Sequence, residues 1–296
     1  MASASDAAPA SDAPPVSDVP PASGAPAPDS APVPQIVKKK RTLFRDLAYS
    51  AHSPACVGDL YLPRKKDPPY PLVVVVHAGG WMTGDKNDFD SAELCTKLAI
   101  VGFAAFNINY RLVGQGGTFP HSIDDVKNAV NFMVANAPQY EIDPKKIGLF
   151  GISAGANLAL MAAYNADKDF PKGQKNNHLN APIRAVVAYC PVIDLVSLDK
   201  PFVTSYMDDI ATHAPDLYRL ASPATYIKNA VPTICIHGTG DTLIPYGETK
   251  KFVTLLQKNG CEAQFVAIPD GVHLFVGSDK DLSFKPAVEF LGAHFQ

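Results

Sequence analysis

Five consecutive apolar residues, Leu72-Val73-Val74-Val75-Val76, constrain this chain more than any other feature of it. Side chains branched at Cβ are stiff about χ1 and pack well on a pleated surface, so the run reads as a strand. A strand with one wet face alternates polar and apolar residues. This one does not, so both of its faces must be covered. It therefore belongs in the middle of a mostly parallel sheet with helices on both faces, an α/β architecture in which crossovers of a dozen residues or more join the strands.

The rest of the chain has the matching rhythm. Strands are expected at Arg41 to Ser50, Val57 to Pro63, Leu72 to His77, Phe103 to Tyr110, Ile147 to Ile152, Ile183 to Val192, Thr233 to His237 and Gln264 to Ile268, eight in all. The first two mix polar and apolar positions, as a half-exposed antiparallel pair does. Helices are expected at Phe89 to Val101, Ile123 to Asn136, Ala154 to Ala166, Tyr246 to Asn259 and near Phe284 to His294. Ile123, Val126, Val130 and Met133 or Val134 form a stripe suited to packing on a sheet. Asp194 to Ala230 breaks the alternation, either as a small cover folded over the carboxyl ends of the strands, where ligands bind, or as a structural insertion.

Residues 1–36 are almost wholly Ala, Pro, Ser and Asp, without an aromatic residue, Lys or Arg. So few apolar side chains do not offset the entropy of ordering, and the segment reads as a disordered, semi-rigid spacer. Residues 37–296 suit one large α/β domain. A formal net charge of −3, with Lys38 to Arg41 the one basic cluster, argues against a nucleic-acid partner. No apolar run approaches the roughly 20 residues of a membrane span. The opening residues lack the basic and hydrophobic regions of a secretory signal, while a spacer of this composition favours an extracellular enzyme domain. Five scattered cysteines, Cys56, Cys95, Cys190, Cys235 and Cys261, have no ligand spacing; Cys190 and Cys235 lie in strand-like runs and are expected as buried free thiols.

Chemistry enters at Gly151-Ile152-Ser153-Ala154-Gly155, between a strand-like and a helix-like run. A sharp strand-to-helix turn with flanking glycines lifts a serine hydroxyl clear of the sheet edge, which makes Ser153 the candidate nucleophile. A serine needs a base, and the base needs an orienting acid. His273, in the loop after the last strand, is the candidate base. Asp241, in His237-Gly238-Thr239-Gly240-Asp241 after the preceding strand, is the candidate acid, with Asp194 its rival. The glycines of His77-Ala78-Gly79-Gly80-Trp81 let backbone approach a substrate oxygen, so the amides of Gly79 and Gly80 join that of Ala154 as candidate oxyanion donors. His77 reads as a structural residue of that loop, and Trp81 as a wall of the acyl or alcohol pocket or as core.

Together with Gly84-Asp85-Lys86, Asn109-Tyr110-Arg111-Leu112, Phe119-Pro120, Asp124-Asp125, Ile142-Asp143-Pro144 and Leu220-Ala221-Ser222-Pro223, these motifs resemble the α/β-hydrolase carboxylesterases. They are similar to the broad-specificity feruloyl and acetyl esterases that overlap the hormone-sensitive-lipase-like enzymes, from about residue 41 to the end. The resemblance implies an α/β-hydrolase fold, a small-molecule or polysaccharide-linked ester as substrate, and a bracing role for Tyr110, Arg111, Asp124 and Asp125. Ala78 stands where the common His-Gly-Gly-Gly has glycine, and Ala156 where glycine is frequent; neither removes an assigned amide. An aryl formamidase or other amidase shares the same apparatus, and a catalytically silent binding module shares the same fold. No nucleotide motif or metal-ligand spacing is present, and no cofactor is expected. Because an imidazole base must be neutral to accept a proton, ester hydrolysis is predicted to rise with pH through roughly 6 to 7, and a pH-rate profile flat down to about 4 would rule that base out.

Overall fold

The computed structural model describes residues 42–198 and 200–296. The spacer expected over 1–36 and the basic cluster Lys38 to Arg41 lie outside the described residues. Eight strands form one sheet: β1 (Leu43–Ala48), β2 (Val57–Tyr61), β3 (Tyr70–Val76), β4 (Ala104–Ile108), β5 (Ile142–Ile152), β6 (Ile183–Tyr189), β7 (Thr233–Gly238) and β8 (Ala263–Ile268). The helices are α1 (Phe89–Ile100), α2 (His121–Ala135), α3 (Ala137–Tyr140), α4 (Ala154–Tyr164), α5 (Pro201–Met207), α6 (Pro215–Leu220), α7 (Tyr246–Lys258) and α8 (Asp279–His294).

The strand order is β1-β2-β4-β3-β5-β6-β7-β8. β1 and β2, and β2 and β4, pair antiparallel; every later pairing is parallel. Leu72 to Val76 are wholly buried. Leu72, Val74 and Val76 join the core on the α2 and α4 face, and Val73 and Val75 join a second core against α1 and α8. This two-sided burial is what the unbroken apolar run requires. The chain leaves β3 for β4 on one side and returns as β5 on the other, so the crevice beyond the carboxyl ends of β3 and β5 is where such a sheet receives a ligand.

Two boundaries differ from the sequence reading by five residues. β5 begins at Ile142, five residues early, because Ile142 pairs with Tyr70 before the register jumps to Leu72 opposite Ile147. Pro144, which has no backbone donor, sits in that irregularity. α8 begins at Asp279 rather than near Phe284. Its first turn is polar and offers no apolar period. Ion pairs hold it instead, from Lys280 to Asp90 (2.7 Å) and Glu93 (2.8 Å) and from Asp281 to Lys97 (3.0 Å), all across to α1.

The segment from Asp194 to Ala230 contains α5, α6 and a 3-10 stretch, Pro223–Asn229. Asn157 of α4 ties it down, its Nδ2 donating to the carbonyl of Val192 (3.1 Å) just before it and to that of Ala221 (3.3 Å) within it. The loop after β3 is anchored in turn by Lys86. Its Nζ lies 2.9 Å from Asp59 Oδ1 on β2 and 2.9 Å from Asp46 Oδ1. Asp59 is fully buried and also accepts from Arg45 (3.1 Å). Removing one partner of a buried ion pair strands the other charge away from water. Lys86→Met is therefore expected to cost about 3–5 kcal/mol of unfolding free energy, read as a lowered urea midpoint.

Candidate active site

Ser153 joins β5 to α4 with φ +56° and ψ −117°, a conformation that L residues rarely adopt and that costs roughly 1–3 kcal/mol. Its amide donates to the carbonyl of Tyr189 at 2.8 Å, which ties the turn to β6. Close packing accounts for the glycine two residues on. A Cβ on Gly155 would stand 2.3 Å from the carbonyl oxygen of Val76 and 2.4 Å from that of His77. The first turn of α4 thus rests directly on the end of β3, and the loop beyond β3 runs beside Ser153.

Ser153 Oγ lies 2.8 Å from His273 Nε2, and His273 Nδ1 lies 2.7 Å from Asp241 Oδ2. With Nδ1 protonated towards the carboxylate, Nε2 is left to accept the serine proton. The three residues, each from a different loop, form one continuous hydrogen-bonded chain. Asp194 takes no part in it: its Oδ1 accepts from the amide of Val196 at 2.9 Å. Asp241 Oδ1 also accepts from the amides of Leu243 (2.8 Å) and Ile244 (2.9 Å). Burial alone would raise the pKa of this carboxyl, but the hydrogen bonds from His237, His273 and Ile244 outweigh it and hold the group well below the usual carboxylate range.

Gly79 and Gly80 have φ +124° and +59°, and a Cβ on Gly79 would meet the carbonyl oxygen of Thr83 at 2.0 Å. Only glycine fits that first position. Among the described residues, the amides of Gly79, Gly80 and Ala154 donate to no backbone carbonyl. His77 is buried; its Nδ1 lies 2.6 Å from the carbonyl of Ala78 and its ring stacks on Tyr110 at 4.4 Å. Burial pushes its pKa below the ordinary histidine value, although the hydrogen bond to Ala78 opposes this. A neutral, enclosed ring suits a loop anchor.

Trp81 is fully buried, stacked on Tyr206 of α5 at 4.3 Å and 6.1 Å from Phe202. Its indole therefore presents no open wall, and the half-buried Phe202, 3.4 Å from where a Cβ on Gly80 would stand, packs against the glycine loop. Arg111 grips Asp125 with both ends of its guanidinium, at 2.9 Å from Nε and 2.7 Å from Nη2. Asp124 accepts from the amide of Gln174 at 2.8 Å. Two residues at the site carried no role in the sequence reading. Phe202 gave no signal, since it lies in the insertion. His237 did give one: a histidine four residues before the acid, across a glycine turn.

Beside His273 an apolar cavity of about 50 Å³ is walled by Ile152, Tyr189, Phe275 and Phe284. Among the described residues one set of side chains has the makings of a metal site: Cys190, His237 and Asp241, with ligand atoms within 4.8 Å of one another. The fit is poor. His237 and Asp241 already share a hydrogen bond of 2.9 Å, and burial pushes the Cys190 thiol up to about 12, whereas a ligating cysteine must be a thiolate. All five cysteines are free. No helix among the described residues is long and apolar enough to cross a membrane.

A family model described as BD-FAE matches residues 58–256. Esterase LipQ of Mycobacterium tuberculosis is 28% identical over 215 residues, covering 69% of this chain and 50% of the relative, so the chain spans about half the length of the curated relative it matches. A truncated carbohydrate esterase from gut microbiota superposes with a TM-score of 0.76 at 23% identity, over 86% of this chain and 97% of the other, and shares the fold. A bifunctional GH43-CE protein of Bacteroides eggerthii superposes with a TM-score of 0.75 at 26% identity, over 86% of this chain and 35% of the other. The close approach at Gly155 gives the test of the site's scaffold. Gly155→Ala forces α4 away from β3 and is expected to destabilise the protein by about 1–3 kcal/mol, read as a shift of the denaturation midpoint.

Proposed function

This chain belongs to the BD-FAE family, and from that premise we propose that it is a serine carboxylic-ester hydrolase that works through an acyl-enzyme at Ser153. The observation that carries the reading is the unbroken hydrogen-bond chain from Asp241 through His273 to Ser153, at 2.7 and 2.8 Å. His273 takes the Ser153 proton on Nε2 as Oγ bonds to the ester carbonyl carbon. Negative charge then moves to the carbonyl oxygen, where the amides of Gly79, Gly80 and Ala154 stabilise it; one such donor is worth about 3 kcal/mol. The intermediate collapses by breaking the bond to the alcohol oxygen, which leaves with the proton from His273. Water, deprotonated by the same imidazole, attacks the acyl carbon; the bond to Oγ then breaks, Ser153 takes its proton back from His273, and the carboxylic acid leaves. Asp241 holds the imidazole in the working tautomer and stabilises its cation throughout.

For substrate we propose short-chain or plant-polysaccharide-linked esters, acetyl or feruloyl. The motif resemblance to feruloyl and acetyl esterases supports this, as does the likeness to a bifunctional GH43-CE protein. The segment 194–230, whose α5 touches the glycine loop through Phe202 and Tyr206, serves as a small cover that shapes the pocket.

Ser153→Ala is expected to lower turnover of 4-nitrophenyl acetate by about a millionfold, as loss of a triad nucleophile does elsewhere. Near-native turnover in that variant would dispose of the mechanism. Rates on acetylated xylan, methyl ferulate and 4-nitrophenyl esters of rising chain length then rank the substrates.

A further inference from the structure

We infer that His237 is a positioning residue: its imidazole fixes the carboxylate of Asp241 in the orientation from which that group serves His273, with Thr249 holding the other nitrogen of the ring in place. The inference rests on the serine-hydrolase reading above. His237 is fully buried near the end of β7, with Nε2 2.9 Å from Asp241 Oδ2 and Nδ1 2.8 Å from Thr249 Oγ1 on α7. A carboxylate only accepts, so Nε2 carries the shared proton. The Thr249 hydroxyl holds Nδ1 on the other side of the ring.

The consequence for Asp241 is saturation. Oδ1 takes the amides of Leu243 and Ile244, and Oδ2 takes the two imidazoles of His237 and His273. Two oxygens offer about four acceptor positions, and all are used. The carboxylate is thus barred from rotating away from His273. Its charge on Oδ2 is also shared, so the imidazolium formed at His273 during turnover is stabilised less than an undivided charge would stabilise it. Loss of the His237 donor is expected to loosen the carboxylate and, by concentrating charge on Oδ2, to raise the pH at which His273 gives up its proton.

The other ionisable groups nearby come from several elements. Cys190, after β6, is a protonated thiol pushed up to about 12 by burial. Tyr246 of α7 meets the His237 ring edge-on at 6.0 Å. Across the cavity beside His273 stand Asp90, Glu93, Lys97 and Lys280 of α1 and α8, paired with one another.

The experiment measures kcat and KM for 4-nitrophenyl acetate over roughly pH 5 to 9, where histidines titrate, in folded His237→Leu, His237→Gln, Thr249→Val and Asp241→Asn proteins. His237→Leu is expected to lower kcat about 10- to 100-fold, the cost of a displaced catalytic group, with little change in KM and with the acid limb moved to higher pH. His237→Gln, whose amide nitrogen reaches the place of Nε2, is expected to recover most of the rate and return the limb. Thr249→Val keeps the imidazole but loses the hydroxyl that holds Nδ1, and is expected to fall between them. A native rate and native limb in His237→Leu, or in Thr249→Val should the former not fold, would overturn the assignment. So would a lost rate with an unmoved limb, which marks a purely structural histidine. Native turnover in Asp241→Asn would instead defeat the serine-hydrolase reading itself, whereas an inactive Asp241→Asn beside native His237 variants defeats only the role of His237.

Discussion

The site depends on one contact: the start of α4 lying against the end of β3, with no side chain between them. Gly155 makes it possible, since its Cα stands where any Cβ would strike the carbonyls of Val76 and His77. From that contact follow the strained backbone of Ser153, the placing of the Gly79 and Gly80 loop beside it, and the outward aim of the serine hydroxyl. Burial on both faces of β3 supplies the rigid ground against which this strain is held. A softer strand would relax and let the turn open.

Charge around the site is arranged by the same economy. Asp241 is a desolvated carboxylate kept ionised by four donors, two of them backbone amides that a side-chain substitution does not remove. Away from the chemistry, Lys86 with Asp59 and Arg111 with Asp125 play the matching part for the loops after β3 and β4. These pairs are enclosed, so their strength comes from complete pairing and not from charge alone. The loops that carry the proposed donors are consequently braced from behind, and the face towards the crevice is left to glycine backbone.

Much of this was legible along the chain. Eight strands were expected and the described residues form eight, because most of the runs are rich in apolar residues that a sheet covered on both faces buries. Ser153, Asp241 and His273 could be picked out because each follows a strand, and strand ends in such a sheet converge on one edge. The early start of α8 was not legible, since ion pairs to α1 hold its polar first turn. Nor was the enclosure of Trp81, which depends on Tyr206, a partner 125 residues away in the irregular insertion. His237 was in view and unassigned, because a buried histidine has meaning only through what faces each nitrogen.

Local pattern by itself determined the class of fold, the central strand, the strained serine turn and the residues proposed for the chemistry, because period, β-branching and glycine placement act over a few neighbouring residues. Only the tertiary structure decided which acid faces the imidazole, what holds that acid in place, and whether an aromatic lines the pocket or lies sealed beneath it. Those outcomes turn on hydrogen bonds and packing between residues far apart in the chain, whose distances are set only once the sheet has closed.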